Sequence, residues 1–122
     1  MSHPSKHYLI VNHSASFDHI KARESLDAAL ILASYDMHVS LCFIGDGVFQ
    51  TIAKQNAELI GAKDFIASFK ALHFYDIEDI YVSETCLSER QLSGPSAFND
   101  ASLVTNSQIT ALIDAADVVL TF

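Results

Sequence analysis

The feature that most narrows what this chain can fold into is a set of short apolar runs that do not alternate with polar residues. Tyr8 to Asn12 reads Tyr-Leu-Ile-Val-Asn, Val39 to Ile44 reads Val-Ser-Leu-Cys-Phe-Ile, and the chain closes on Asp117-Val118-Val119-Leu120-Thr121-Phe122. A strand with one wet face shows a period of two, whereas an unbroken apolar run suits a strand covered on both faces. Ile77 to Ser83, with Ile80, Tyr81 and Val82 at its centre, predicts a further strand, and Leu103-Val104 a brief one.

Helical patterns separate these runs. Over His19 to Tyr35, Leu26, Ala29, Leu30 and Ala33 fall at i, i+3, i+4 and i+7, while Arg23, Glu24 and Asp27 lie off that line. Phe65, Ile66, Phe69 and Leu72 mark a second helical stripe entered after Gly61, and a short helical turn is predicted around Leu87 to Leu92, followed by a loop holding Gly94, Pro95, Asn99 and Asp100. Asn106 is placed to cap a helix through Ala115, with Ile109, Leu112 and Ile113 inward. Doubly covered strands alternating with helices imply parallel crossovers, because those lay helices over the sheet faces. The expected architecture is a three-layer α/β/α sandwich of about five mostly parallel strands, flavodoxin-like, with the C-terminal strand at a buried edge or centre.

A chain of 122 residues is long enough to close one core and too short for two, so a single domain over 1–122 is expected, residues 1–6 forming a mobile lead-in. Half the residues are apolar and only 18% are charged, which leaves two openings: an apolar monomeric core, or apolar surface that meets another subunit. The formal net charge is −8, with no block of basic residues, and such a surface repels phosphate backbones. Direct binding of nucleic acid by this chain is not expected. The N-terminus lacks the profile of a signal peptide, and no apolar run approaches the roughly 20 residues that span a bilayer. A cytoplasmic protein without membrane contact is expected.

In an open α/β sheet ligands gather beyond the carboxyl ends of the strands. That rule selects His13-Ser14-Ala15, Gly45-Asp46-Gly47-Val48-Phe49 and Ser83-Glu84-Thr85-Cys86. None contains GxGxxG or GxxxxGK[ST], so no nucleotide cofactor is expected. A flavin loop after the first strand would want hydroxyls and glycine, and His-Ser-Ala-Ser-Phe offers two serines and no glycine. The histidines fall at no metal-ligand spacing. Of the two cysteines, Cys42 sits between Leu41 and Phe43 as core filler, and both thiols read as reduced. Cys86 is the candidate nucleophile, opposed by Glu84 and Glu89, which disfavour a thiolate beside them. Asp46 between two glycines is a candidate site residue or a local turn former.

Several pieces in order along the chain resemble the TusC/DsrF branch of the DsrE-like family. They are Arg23-Glu24-Ser25-Leu26-Asp27-Ala28, Phe43-Ile44-Gly45-Asp46-Gly47-Val48-Phe49-Gln50, Phe69-Lys70-Ala71-Leu72 with Tyr75-Asp76-Ile77-Glu78, and the terminal Asp117 to Phe122. The resemblance implies a subunit that joins TusB-like and TusD-like relatives in a heterohexamer, between upstream and downstream sulfur carriers. It implies persulfide transfer, for 2-thiouridine synthesis at the tRNA wobble position or for dissimilatory sulfur metabolism. In the family the TusD-like subunit carries the reactive cysteine a few residues before a Leu-Arg-Arg-Gly-like segment. Matching that segment to Leu87-Ser88-Glu89-Arg90 puts the reactive position at Tyr81 or Val82, neither of them a cysteine, with Cys86 four or five residues later. The Leu-Arg-Glu-Arg-Gly-like stretch of TusC is also altered, Ser88 standing for its first Arg and Gln91 for its Gly. The resemblance thus implies a non-catalytic subunit, with Asp46, Gly47, Phe49, Tyr81 and Ser83 as a site or interface segment; the alternatives are a persulfide carrier through Cys86 and a flavin or small-molecule module.

Overall fold

The computed structural model describes residues 6–14, 19–51, 77, 79–92 and 101–122. Strands β1 (His7–Asn12), β2 (His38–Phe43), β3 (Asp79–Ser83), β4 (Ser102–Val104) and β5 (Val118–Thr121) form one sheet in the order β4-β3-β2-β1-β5, every pairing parallel. Three α-helices are described: α1 (His19–Ser34), α2 (Glu84–Glu89) and α3 (Asn106–Ala115), with a 3-10 helix at Gly45–Thr51. The helix expected after Gly61 and the lead-in before Lys6 lie outside the described residues. No described helix is long and apolar enough to cross a membrane.

Connectivity explains the unbroken apolar runs. The steps from β1 to β4 all move one way across the sheet, and right-handed crossovers keep their helices on one face. The step from β4 to β5 returns past β1 to the far edge and carries α3 to the other face. Two apolar clusters follow. Ile10, Val39, Leu41, Phe43, Ile80 and Val82 pack with Leu26 and Ala29 of α1, Val48 and Leu87. Leu9, Val11, Cys42 and Val104 pack with Ile109 of α3. Neighbours along a strand point to opposite faces, so adjacent Leu9 and Ile10 both need an apolar side chain.

The stretch after β2 is a seven-residue 3-10 helix. Four sequence expectations shift. The short helix begins at Glu84 instead of Leu87, because the Ser83 hydroxyl accepts the Cys86 N–H at 3.1 Å and starts it early. The cap of α3 is Thr105, not Asn106: its hydroxyl accepts the Gln108 N–H while the Gln108 side chain accepts the Thr105 N–H at 2.8 Å. Ile113, expected inward, is 40% exposed, since α3 turns only a narrow stripe around Ile109 onto the sheet. Among the described residues the closing strand is an edge, paired only with β1, and its residues alternate between half-buried and exposed.

Gly47 and Gln91 are the backbone positions where side-chain chemistry decides most. A Cβ on Gly47 would lie 1.9 Å from the Asn12 carbonyl oxygen, whereas one on Gly45, at φ +53°, meets nothing closer than 3.9 Å. Gln91 adopts φ 56° just after α2, where its N–H donates to the Ser88 carbonyl at 3.0 Å and the Leu92 N–H to that of Leu87 at 2.9 Å. That is a helix stop which glycine fills without strain, so replacing glycine with Gln91 keeps the geometry at an energetic cost. Gly47→Ala is expected to destabilise by about 3 kcal/mol, against about 1 kcal/mol for Gly45→Ala, in urea unfolding. Gln91→Gly is expected to stabilise by about 1 kcal/mol in the same assay.

Candidate functional site

The carboxyl ends of β1, β2 and β3 converge through one turn. The Ile44 N–H donates to the Asn12 carbonyl at 3.0 Å and the Gly47 N–H to the Ile44 carbonyl at 2.8 Å, so the 3-10 helix folds back over the end of β1. The missing Cβ at Gly47 lets the two backbones touch. Asn12 is buried beneath this turn, its Oδ1 accepting the Ser25 hydroxyl from α1, while its Nδ2 is buried with no partner among the described residues. The Thr51 hydroxyl donates to the Val48 carbonyl at 2.6 Å and closes the turn.

That turn meets the first residues of α2. The Gly45 N–H donates to Cys86 Sγ at 3.2 Å. Arg90, one helical turn beyond Cys86, donates through Nε to Asp46 Oδ1 at 3.1 Å, and Nη2 lies 3.0 Å from the same oxygen. Its Nη1 donates to the Cys86 carbonyl at 3.2 Å. Arg90 therefore clasps the turn to the helix, with the half-buried Cys86 sulfur between them. The pair is partly solvated, its side chains 26% and 59% exposed, and as an ion pair contributes about 0–1 kcal/mol; its geometric role is larger than its energy.

The structure brings Asp46, Gly47 and Cys86 together with Ser83, which is buried and acts as the helix cap. Phe49 follows on the same turn, half-buried. Tyr81 is elsewhere: it points to the α3 face and packs against the second cluster, and burial, then the nearby Asp79, raises its phenol pKa. Val82 points to the α1 face and is fully buried. Cys42 is wholly buried, and desolvation, with the Cys86 charge as a smaller cause, pushes its thiol up to about 11. Arg90 was not singled out from the sequence, because nothing in its spacing from Asp46 signals that two distant segments meet. The Ser83 cap does have a local signal, a serine directly before a helical turn.

The face of α2 away from Cys86 lines an open groove of about 520 Å³ formed by Glu84, Thr85, Ser88, Glu89 and Thr105. Glu84 and Glu89 thus face the groove, while the sulfur faces Gly45.

Fold and site together define a small all-parallel α/β protein whose half-buried thiol sits at the carboxyl edge of the sheet, under a glycine-bearing turn. The chain belongs to the DsrE/DsrF-like family, whose model matches residues 6–122. It is 33% identical over 109 residues to a protein TusC homolog of Aliivibrio fischeri and to one of Vibrio vulnificus, in each case covering 89% of this chain and 92% of the relative. The crystal structure of the ychN protein from E. coli superposes with a TM-score of 0.75 at 20% identity, over 98% of this chain and all of that one, and shows the same fold.

With native protein and an excess of alkylating reagent at pH 8, mass spectrometry is expected to find the label on Cys86 alone, and on Cys42 only after denaturation.

Proposed function

We propose that this chain is a structural subunit of a TusBCD/DsrEFH-like sulfur-relay assembly, most consistent with the pathway to 2-thiouridine at the tRNA wobble position, and that the transferable sulfur is carried by a partner. The observation that carries this reading is β3. Relay by persulfide needs an accessible thiolate that attacks the sulfane sulfur of a donor persulfide, takes that sulfur, and releases the donor cysteine as thiolate. At the matched position this chain has Tyr81, turned to the opposite face, or Val82, fully buried. Neither can form a persulfide.

Subunit character is supported by the exposed apolar side chains Ile31 (58%) on α1, Tyr35 (72%) just after it, and Val119 (37%) on the edge strand. With a net charge of −8, tRNA contact falls to partners with positive surface, and a cytoplasmic location goes with reduced thiols and that pathway. TusB-like and TusD-like chains are the partners this reading requires, in a heterohexamer.

One observation favours a second reading, in which Cys86 is itself a carrier: the Gly45 N–H is aimed at its sulfur, the kind of fixed donor that stabilises developing anionic charge. Co-expression with TusB-like and TusD-like chains, followed by incubation with a cysteine desulfurase and ³⁵S-cysteine, separates the two. The expected outcome is a co-purifying assembly with label on the TusD-like partner and none on this chain. Thiol-sensitive label on this chain that disappears in Cys86→Ser would replace the first reading with the second, and a chain that stays monomeric beside both partners would remove the first.

A further inference from the structure

At the opposite end of the sheet from Cys86, the register sets His7 of β1 beside His38 of β2 on the α3 face. The two imidazole rings stack with centroids 4.3 Å apart and planes 13° from parallel. Each ring is tethered by its Nε2: His7 to the buried Ser40 hydroxyl at 2.8 Å, and His38 to Asp79 Oδ2 of β3 at 2.8 Å. The backbone of His7 exchanges two bonds with Asp117, just before β5: its N–H donates to the Asp117 carboxylate at 2.7 Å and its carbonyl accepts the Asp117 N–H at 2.9 Å. The His38 N–H donates to the Lys6 carbonyl at 3.2 Å. One pair of rings thus sits where β1, β2, β3 and the entry to β5 are joined. Stacked rings direct their in-plane lone pairs alongside each other rather than to one point, so the pair is not arranged to chelate a metal.

We propose that this stacked pair is a proton-sensitive latch, closed while the two rings share at most one positive charge and loosened when both are protonated. The described charged and titratable groups that act on His7 are His38 from β2, Asp79 from β3 and Asp117 from the turn before β5. His38 contacts the Asp79 carboxylate directly. A second proton on the pair, on His7, places like charges face to face and leaves its Nε2 only the donor role toward the Ser40 hydroxyl. Burial first, and His38 second, lower the His7 pKa, against smaller raising effects of Asp79 and Asp117. The sign follows: His7 takes up its proton less readily folded than unfolded, so stability is at its full value above the ordinary imidazole range near 6.5 and falls as pH drops through it.

NMR of the full chain between pH 8 and 5 tests the latch, following the imidazole resonances and the amide-exchange protection factors, corrected for intrinsic rates. The His7 midpoint is expected below that of a free imidazole, rising in His38→Asn and falling in Asp79→Asn. Protection of the His38 and Asp117 amides should drop several-fold on acidification while that of Ile44 and Phe122, at the other end of the same strands, holds, and the drop should vanish in His38→Asn. A His7 midpoint unmoved by His38→Asn, or loss of protection spread evenly over both ends, overturns the proposal. His38 is half exposed, so its replacement leaves the core untouched.

Discussion

Double burial of β1 is the constraint on which the rest of the structure depends. Its six residues pair with β2 along their whole length and four of them pair with β5, so this strand has no free edge and no wet face. Leu9 and Ile10 are both fully buried, one beneath α3 and the other beneath α1. Such a strand must supply apolar side chains at consecutive positions, and all its backbone groups must find partners in the ladder, since an unpaired buried peptide group costs on the order of a hydrogen bond. Parallel pairing satisfies both demands, and the crossovers it requires deliver the covering helices.

The same strand organises both ends of the sheet. At its carboxyl end the Asn12 carbonyl receives the turn after β2, and the absence of a side chain at Gly47 lets that turn come close enough to put a peptide N–H on Cys86. At its amino end His7 gathers the neighbouring strands through a ring stack and two backbone bonds to Asp117. The carboxyl end holds a fixed donor on sulfur and the amino end holds titratable rings. The length of β1 therefore separates a thiol environment from a charge-sensitive seam.

The thiols show how location, rather than residue type, sets chemistry. Cys42 and Cys86 belong to the same small chain, yet Cys42 is sealed between strands with its thiol pushed up to about 11. Cys86 sits half-buried at the start of a helix with a donor on its sulfur. The chain belongs to the DsrE/DsrF-like family, and its β3 sets Tyr81 and Val82 on opposite faces of the sheet, with no cysteine in that strand.

Much of the fold was legible in the residues. Unbroken apolar runs at Tyr8 to Asn12 and Val39 to Ile44 mark strands covered on both faces, and the Leu26/Ala29 spacing marks the inner face of α1 through the helical period of 3.6, because both patterns are local. Family resemblance and the carboxyl-end rule also named Asp46, Gly47, Ser83 and Cys86 from sequence. What sequence could not supply was everything set by contacts between distant segments: that Arg90 clasps Asp46, 44 residues away, that Tyr81 faces away from Cys86, that Ile113 points to solvent, and that His7 stacks on His38. Local propensity and patterning act over a few residues and leave their trace in the order of letters. Register, handedness and strand order act across the sheet, and only the folded chain decides which side chains they bring face to face.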